Sequence, residues 1–200
     1  MKTAAPPLPA ARSQPSLRQR LAHLWQAGID VLEYQDEATF RRHLERCSWR
    51  SALAFVLAAA LAGGLLEAFH GLLFGDALGS LLRAVGVLLL NFLIFTGGVT
   101  LVGRVLRSRG GYREVAFAFA LFYVPLELIA TAGSMLLAFV PYLNLLLDLG
   151  WQLAVLALEV TLAFRATRAA LGLSARLSVW IALVGGGLLT LAVQLLANVL

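Results

Sequence analysis

What most limits the folds open to this chain is a series of five long runs that carry almost no charge, residues 51–69, 84–103, 115–140, 142–164 and 177–200. At a rise of about 1.5 Å per residue, even the shortest reaches about 29 Å, enough for the ~30 Å hydrocarbon core of a bilayer. The composition leaves little alternative. Apolar residues make up 60% of the chain and charged residues 14%, against roughly 45–50% and 25% in ordinary globular domains. With a mean hydropathy of +0.83, the chain cannot hide its apolar surface within itself, and lipid must be the solvent for most of it. The reading is an all-α, polytopic helical bundle with five transmembrane helices.

Charge supplies the orientation. The net charge is +5, but the arginines sit at the ends of apolar runs, which marks topology rather than nucleic-acid binding. Arg41, Arg42, Arg46 and Arg50 precede the first run; Arg104, Arg107, Arg109 and Arg113 separate the second from the third; Arg165, Arg168 and Arg176 separate the fourth from the fifth. All of these fall on one side of a five-span chain, with Arg83 alone on the other. The expected topology is therefore N-terminus in the cytoplasm and C-terminus outside. Cys47 is the only cysteine, which excludes an internal disulfide framework; it reads as a small apolar filler.

The soluble front divides in two. Residues 1–15 hold four of the six prolines among Ala and Ser and should form a disordered tail. They are not expected to be a cleavable signal, because no apolar segment follows Lys2. Over 16–48 the pattern is that of cytoplasmic amphipathic helices. Ser16 and Gln19 form a capping box, and Leu17, Leu21, Leu24, Trp25, Ile29 and Leu32 share one helical face. That stripe suits either an interfacial helix on anionic lipid, with Arg18, Arg20 and Trp25 at headgroup level, or packing against the chain's own bundle. A second helix starts near Asp36 and should run through Trp49 and Arg50 into the first span. Residues 49–200 form the membrane domain.

Polar groups inside the spans are functional candidates because they are expensive there. Counted inward from the arginine-rich side, Glu127 lies about 18 Å deep, and Asn91, Gln152 and Thr190 each about 20 Å. Four spans thus place a polar side chain at nearly one level. One reading is a proton or cation site with Glu127 as the switching group; the preferred one is a structural clasp that fixes helix register. Pro125 removes a backbone hydrogen bond two residues before Glu127; a kink there would free a carbonyl near Asn91. Glu159 should reach back toward Arg165, and Asp148, near Tyr142 and Asn144, should be hydrated.

Catalytic patterns are missing. Glu67 and His70 have the spacing of di-iron ligands, but such sites need a second copy and two further glutamates. The spans hold no phosphate loop, nucleophile elbow or second histidine. No metal, no cofactor and no enzyme are expected. Gly63–Gly64, Gly97–Gly98 and the triplet Gly185–Gly187 permit close helix contact.

The C-terminal three runs carry a resemblance. An Arg-Gly-Gly-Tyr-Arg-Glu segment (109–114) leads into a span holding Tyr123, Val124 and Pro125. A turn at Pro141, a fourth run holding Trp151 and a short arginine-bounded loop follow. From about Trp49 to Leu200 the chain resembles the Yip (Ypt-interacting protein) domain family, five-span proteins with a cytosolic N-terminus. The resemblance implies a non-enzymatic membrane adaptor; eukaryotic members are associated with Rab-type GTPases and early secretory membranes. The chain lacks the Asp-Leu-Tyr-Gly motif of those members, and its 15 arginines against one lysine suggest a bacterial protein of the cytoplasmic membrane. Expected partners are membrane lipid and proteins, or a second copy. The alternative function is a small-solute, proton or cation transporter or channel-like bundle built around Glu127.

Overall fold

The computed structural model describes residues 16–45, 48–72, 77–137 and 144–199. The proposed tail over 1–15, Cys47 and the turn at Pro141 lie outside them, as do the side chains of Glu67 and His70. Seven helices follow in order: α1 Leu17–Tyr34, α2 Glu37–Leu44, α3 Trp49–Leu72, α4 Ala77–Val105, α5 Tyr112–Leu137, α6 Asn144–Leu171 and α7 Arg176–Val199. There is no strand among the described residues.

Local chemistry sets the first boundaries. The Ser16 hydroxyl accepts from the Gln19 N–H, and the Gln19 side chain accepts from the Ser16 N–H at 2.9 Å, the reciprocal capping box. Gln35 closes α1 in the left-handed region (φ 48°), its N–H donating to the Val31 carbonyl. Asp36 then caps α2 by accepting from the Thr39 N–H at 2.6 Å, and the Thr39 hydrogen bonds hold its carboxyl below its ordinary range. The helix that starts here does not continue into α3. It ends at Leu44, and α3 begins at Trp49 after Ser48, whose carbonyl accepts from the Ala52 N–H at 3.0 Å. A serine before an apolar run favours a new helix start over continuation.

Four helices are long and apolar enough to cross a membrane: Trp49–Leu66, Ala77–Val105, Tyr112–Leu137 and Leu145–Leu171. In α7 the apolar stretch is the shorter Arg176–Ala192. These long helices are compatible with a multi-pass membrane protein. α5 is the centre of the bundle. Every residue from 115 to 122 is buried, so the helix has no exposed side over two turns and is ringed by α1, α2, α3, α4 and α6. The outer part of α6 is the opposite case, with Leu145, Leu146, Leu149, Leu153 and Leu156 exposed.

Small residues set the contacts, as expected where lipid offers no hydrophobic drive to association. A β-carbon on Gly98 would lie 2.9 Å from the Gly186 Cα, and one on Gly64 would lie 2.8 Å from Val85. Gly63, Gly97 and Gly187 face open space. Neighbours on a helix point about 100° apart; in the two pairs one glycine meets a partner, while in the triplet Gly185 and Gly186 both do, against Val102 and Val99.

The first helix packs on the bundle. Ala27, Gly28 and Val31 are buried, with Leu21, Leu24 and Leu32 partly so, while Trp25 stays 40% exposed. The buried stripe is thus turned away from Trp25 toward the smallest residues of α1, which allow the closest approach to α5. α2 is pinned by Phe40, fully buried and edge-on to Phe122 at 6.3 Å. Both short helices gather at one end of the bundle, where Trp49 meets Tyr112 at 5.1 Å and the Arg109 N–H donates to the Leu171 carbonyl at 3.2 Å.

Candidate functional site

The polar groups of the spans are met through the helices that carry them. On α5, Tyr123 and Glu127 are one turn apart; on α6, Gln152 and Glu159 are two turns apart. Asn91 of α4 and Tyr123 line two cavities that lie on either side of them. One, of about 390 Å³ between α3, α4 and α5, also holds Glu127, Ser80 and Arg83. The other, of about 370 Å³ between α4, α5, α6 and α7, holds Glu159 and Thr190 and reaches Trp180. A third, of about 440 Å³, has Glu127, Glu159 and Gln152 in its lining. Asn91 and Glu127 therefore do share a cavity, with Tyr123, while Glu159 lines one neighbouring cavity with Asn91 and another with Glu127.

Gln152 and Thr190 are committed elsewhere. The exposed Gln152 amide donates to the Ser134 hydroxyl at 2.7 Å, and that hydroxyl donates to Asp148 at 2.7 Å. This relay bridges α5 and α6 and gives Asp148 a protein partner in Ser134. Thr190 donates to the Gly186 carbonyl of its own helix at 3.0 Å, the usual way an interior threonine satisfies itself. The four-residue layer is thus not one network. Glu159 makes no ion pair with Arg165 among the described residues. Six residues along a helix is about 240° of rotation, which puts the two on different faces; Glu159 faces the cavity with Leu156 and Ala163.

Pro125 sits within an unbroken α5. A proline leaves the carbonyl four residues earlier without its helical donor, here that of Leu121. That oxygen faces Gly28 of α1, 2.6 Å from where a β-carbon would be.

The arginine-rich end forms a second region. Arg18 and Arg20 lie exposed on α1, and Arg104, Arg107 and Arg109 are exposed at the turn from α4 to α5. Ser108 N–H donates to the Gly103 carbonyl and Arg107 N–H to that of Arg104, both at 3.0 Å, with Arg107 at φ 59°. This is the Schellman termination, with arginine where glycine is usual. Across α6 and α7, a cleft of about 690 Å³ brings Arg165, Arg168 and Arg176 together with Asp36 and Glu37. Glu37 holds Arg168 at 3.1 Å and also pairs with Arg41. Among the described residues, no three His, Cys, Asp or Glu side chains gather as a metal site.

No known family, curated protein or solved structure matches this chain. Its reading rests on its own residues. Glu159 and Tyr123 are the members of the central cluster that depth counting passes over. The signal for them was helical phase: Tyr123 precedes Glu127 by four residues, and Glu159 follows Gln152 by seven.

Proposed function

We propose that the protein is a five-span integral membrane protein of the bacterial cytoplasmic membrane, N-terminus inside and C-terminus outside, acting as a non-enzymatic scaffold like the Yip-domain adaptors it resembles. The supporting observation is the arrangement at one end of the bundle. α1 and α2 fold back onto it, fastened by Phe40 against Phe122 and by Glu37 with Arg168. The arginine-bearing ends of α4 and α6 adjoin it, joined by the bond from Arg109 to Leu171. The result is a preformed basic platform with Arg18, Arg20 and Trp25 exposed on α1, suited to engaging protein partners or the anionic leaflet. Gathering the arginines at one end also supports the orientation.

Two experiments test this. In a Cys47→Ser background, Arg109→Cys should react with an impermeant maleimide only after the cells are opened, and Arg83→Cys in intact cells. Labelling of both from the same side would end the five-span reading. For the scaffold, a mild-detergent pull-down should recover a stoichiometric partner that is lost in Arg18→Glu/Arg20→Glu, a change that leaves the buried face of α1 intact. Recovery of the same partner from that variant would move the docking surface elsewhere.

The alternative is a proton- or cation-conducting bundle. Its specific support is that the cavity holding Arg83 and the cavity reaching Trp180 share Asn91 and Tyr123, with Glu127 on one side and Glu159 on the other. Reconstituted liposomes would show pH-dependent flux under this reading and none under the first.

A further inference from the structure

A groove separates α6 from α7. α6 stays with α5, where the Trp151 ring fills the notch at Gly133 and donates its N–H to the Ala130 carbonyl at 3.1 Å. α7 stays with α4 through the contact of Gly186 with Gly98. Near their connecting loop the two helices touch through Phe164 and Trp180, ring centres 5.2 Å apart. Beyond that contact the groove is floored by aromatic rings, with Phe95 on Phe119 at 5.3 Å and Phe92 near Tyr123 at 6.0 Å. Its walls are Leu156 and Val160 on one side and Trp180 and Val184 on the other. These four are 41–56% exposed, so the groove opens sideways, toward where the bilayer would lie.

Its inner end meets the arginine cleft. Val160 and Trp180 line both cavities, so the hydrocarbon-walled space adjoins, across the Phe164–Trp180 contact, one lined by three arginines and two carboxylates. Glu37 occupies Arg168 at 3.1 Å. Arg165 and Arg176 form no ion pair among the described residues, although the Arg165 charge is felt at Asp36.

We propose that this composite site holds one anionic phospholipid, its phosphate between Arg165 and Arg176 and one acyl chain in the groove between α6 and α7. Two adjoining compartments of this kind, cationic at headgroup height and apolar beyond it, match an anionic amphiphile. A free phosphate would use only the cleft, and an apolar helix would leave the arginines unanswered. Basic pockets between spans on the cytoplasmic side are where anionic headgroups are recognised. The proposal rests on α6 and α7 both crossing the bilayer, and it deepens the scaffold reading by naming a lipid partner. A chain seated here would also shut the Trp180-side cavity to water, against the conducting reading.

Native mass spectrometry of the full chain in a zwitterionic detergent tests it, with added phosphatidylglycerol, phosphatidylcholine or inorganic phosphate. One phosphatidylglycerol should be retained at least tenfold more strongly than phosphatidylcholine. Arg165→Gln/Arg176→Gln should weaken it about tenfold. Val184→Trp, which fills the groove from an exposed position, should weaken it similarly with the melting temperature unchanged. Equal retention of the two lipids would overturn the proposal. So would millimolar phosphate displacing the lipid while Val184→Trp has no effect, which would mean a headgroup site only. A dimer dissociated by Val184→Trp would overturn it too, by showing a second copy in the groove. The maleimide experiment reads the membrane topology separately, so its failure is distinguishable from loss of lipid binding.

Discussion

Gly28 of α1 lies so close to the carbonyl of Leu121 in α5 that a β-carbon would sit 2.6 Å from that oxygen and 3.1 Å from the ring of Pro125. The oxygen is the one that Pro125 leaves without its helical donor. A proline in one helix and a glycine in another thus make a single docking point, and it joins the N-terminal helices to the core of the bundle. Gly28→Leu should lift α1 from α5 and cost about 1–3 kcal/mol as an overpacked contact. Thermal unfolding in detergent checks the cost, and faster proteolysis within Leu17–Tyr34 checks the location. An unchanged digestion pattern would count against the docking point.

Gly110 carries a stricter constraint. A β-carbon there would collide with the Ala170 carbonyl and lie 2.9 Å from the Leu171 Cα, backbone that cannot turn aside. Gly110→Ala should therefore cost about 3 kcal/mol or more, whereas Gly97→Ala, in open space, should be neutral or slightly stabilising. Comparing the two melting temperatures decides the matter.

Arg107 holds the left-handed position that ends α4, where a side chain costs of order 1 kcal/mol or more. Arg107→Gly should raise stability by about that amount. If the platform binds a partner through this turn, the same variant should bind it more weakly while melting higher. Loss of stability would show that the arginine side chain contributes more to the fold than its backbone costs.

Glu127→Gln separates the two readings of the central cluster. A clasp keeps its shape and most of its hydrogen bonding with an amide, so the melting temperature should change little. A proton-coupled pathway needs the ionisable group, and pH-dependent flux in liposomes should vanish. Glu159→Gln should behave in the same way, because both carboxyls line one cavity.

Asp36 links α2 to pH. Its carboxyl is held below the ordinary value of 3.8 by its hydrogen bonds with Thr39. The folded state therefore binds that proton less readily than the unfolded one, and the stabilisation is present above the ordinary value and lost as pH falls below it. Hydrogen exchange in α2 should accelerate on acidification below about pH 3.8. In Asp36→Asn, which still caps the helix, that acceleration should be smaller.

The platform and the central cluster were legible in the sequence to different degrees. The capping box at Ser16 and Gln19 and the helix start near Asp36 follow from short-range rules and are present as expected. The continuation of α2 into α3 was misread, because the hydrophobic pattern runs on past Ser48 and does not mark the helix start at Trp49. Depth along each run put Asn91, Glu127, Gln152 and Thr190 at one level; Asn91 and Glu127 line one cavity, while Gln152 bonds Ser134 and Thr190 bonds its own helix. Depth fixes one coordinate only, and helix rotation decides whether a side chain meets a neighbour or bonds its own turn.

The sequence by itself determined the helices, the apolar runs and the arginine bias, because hydrophobicity, capping and charge act over a few residues. Only the tertiary structure decided that α5 is the buried centre, that α1 seats on Pro125, that α6 and α7 part to leave a groove, and that Glu159 turns inward. Each of these depends on which face of one helix meets another. In lipid that choice rests on small differences in fit between side chains far apart in the chain, and no local pattern records them.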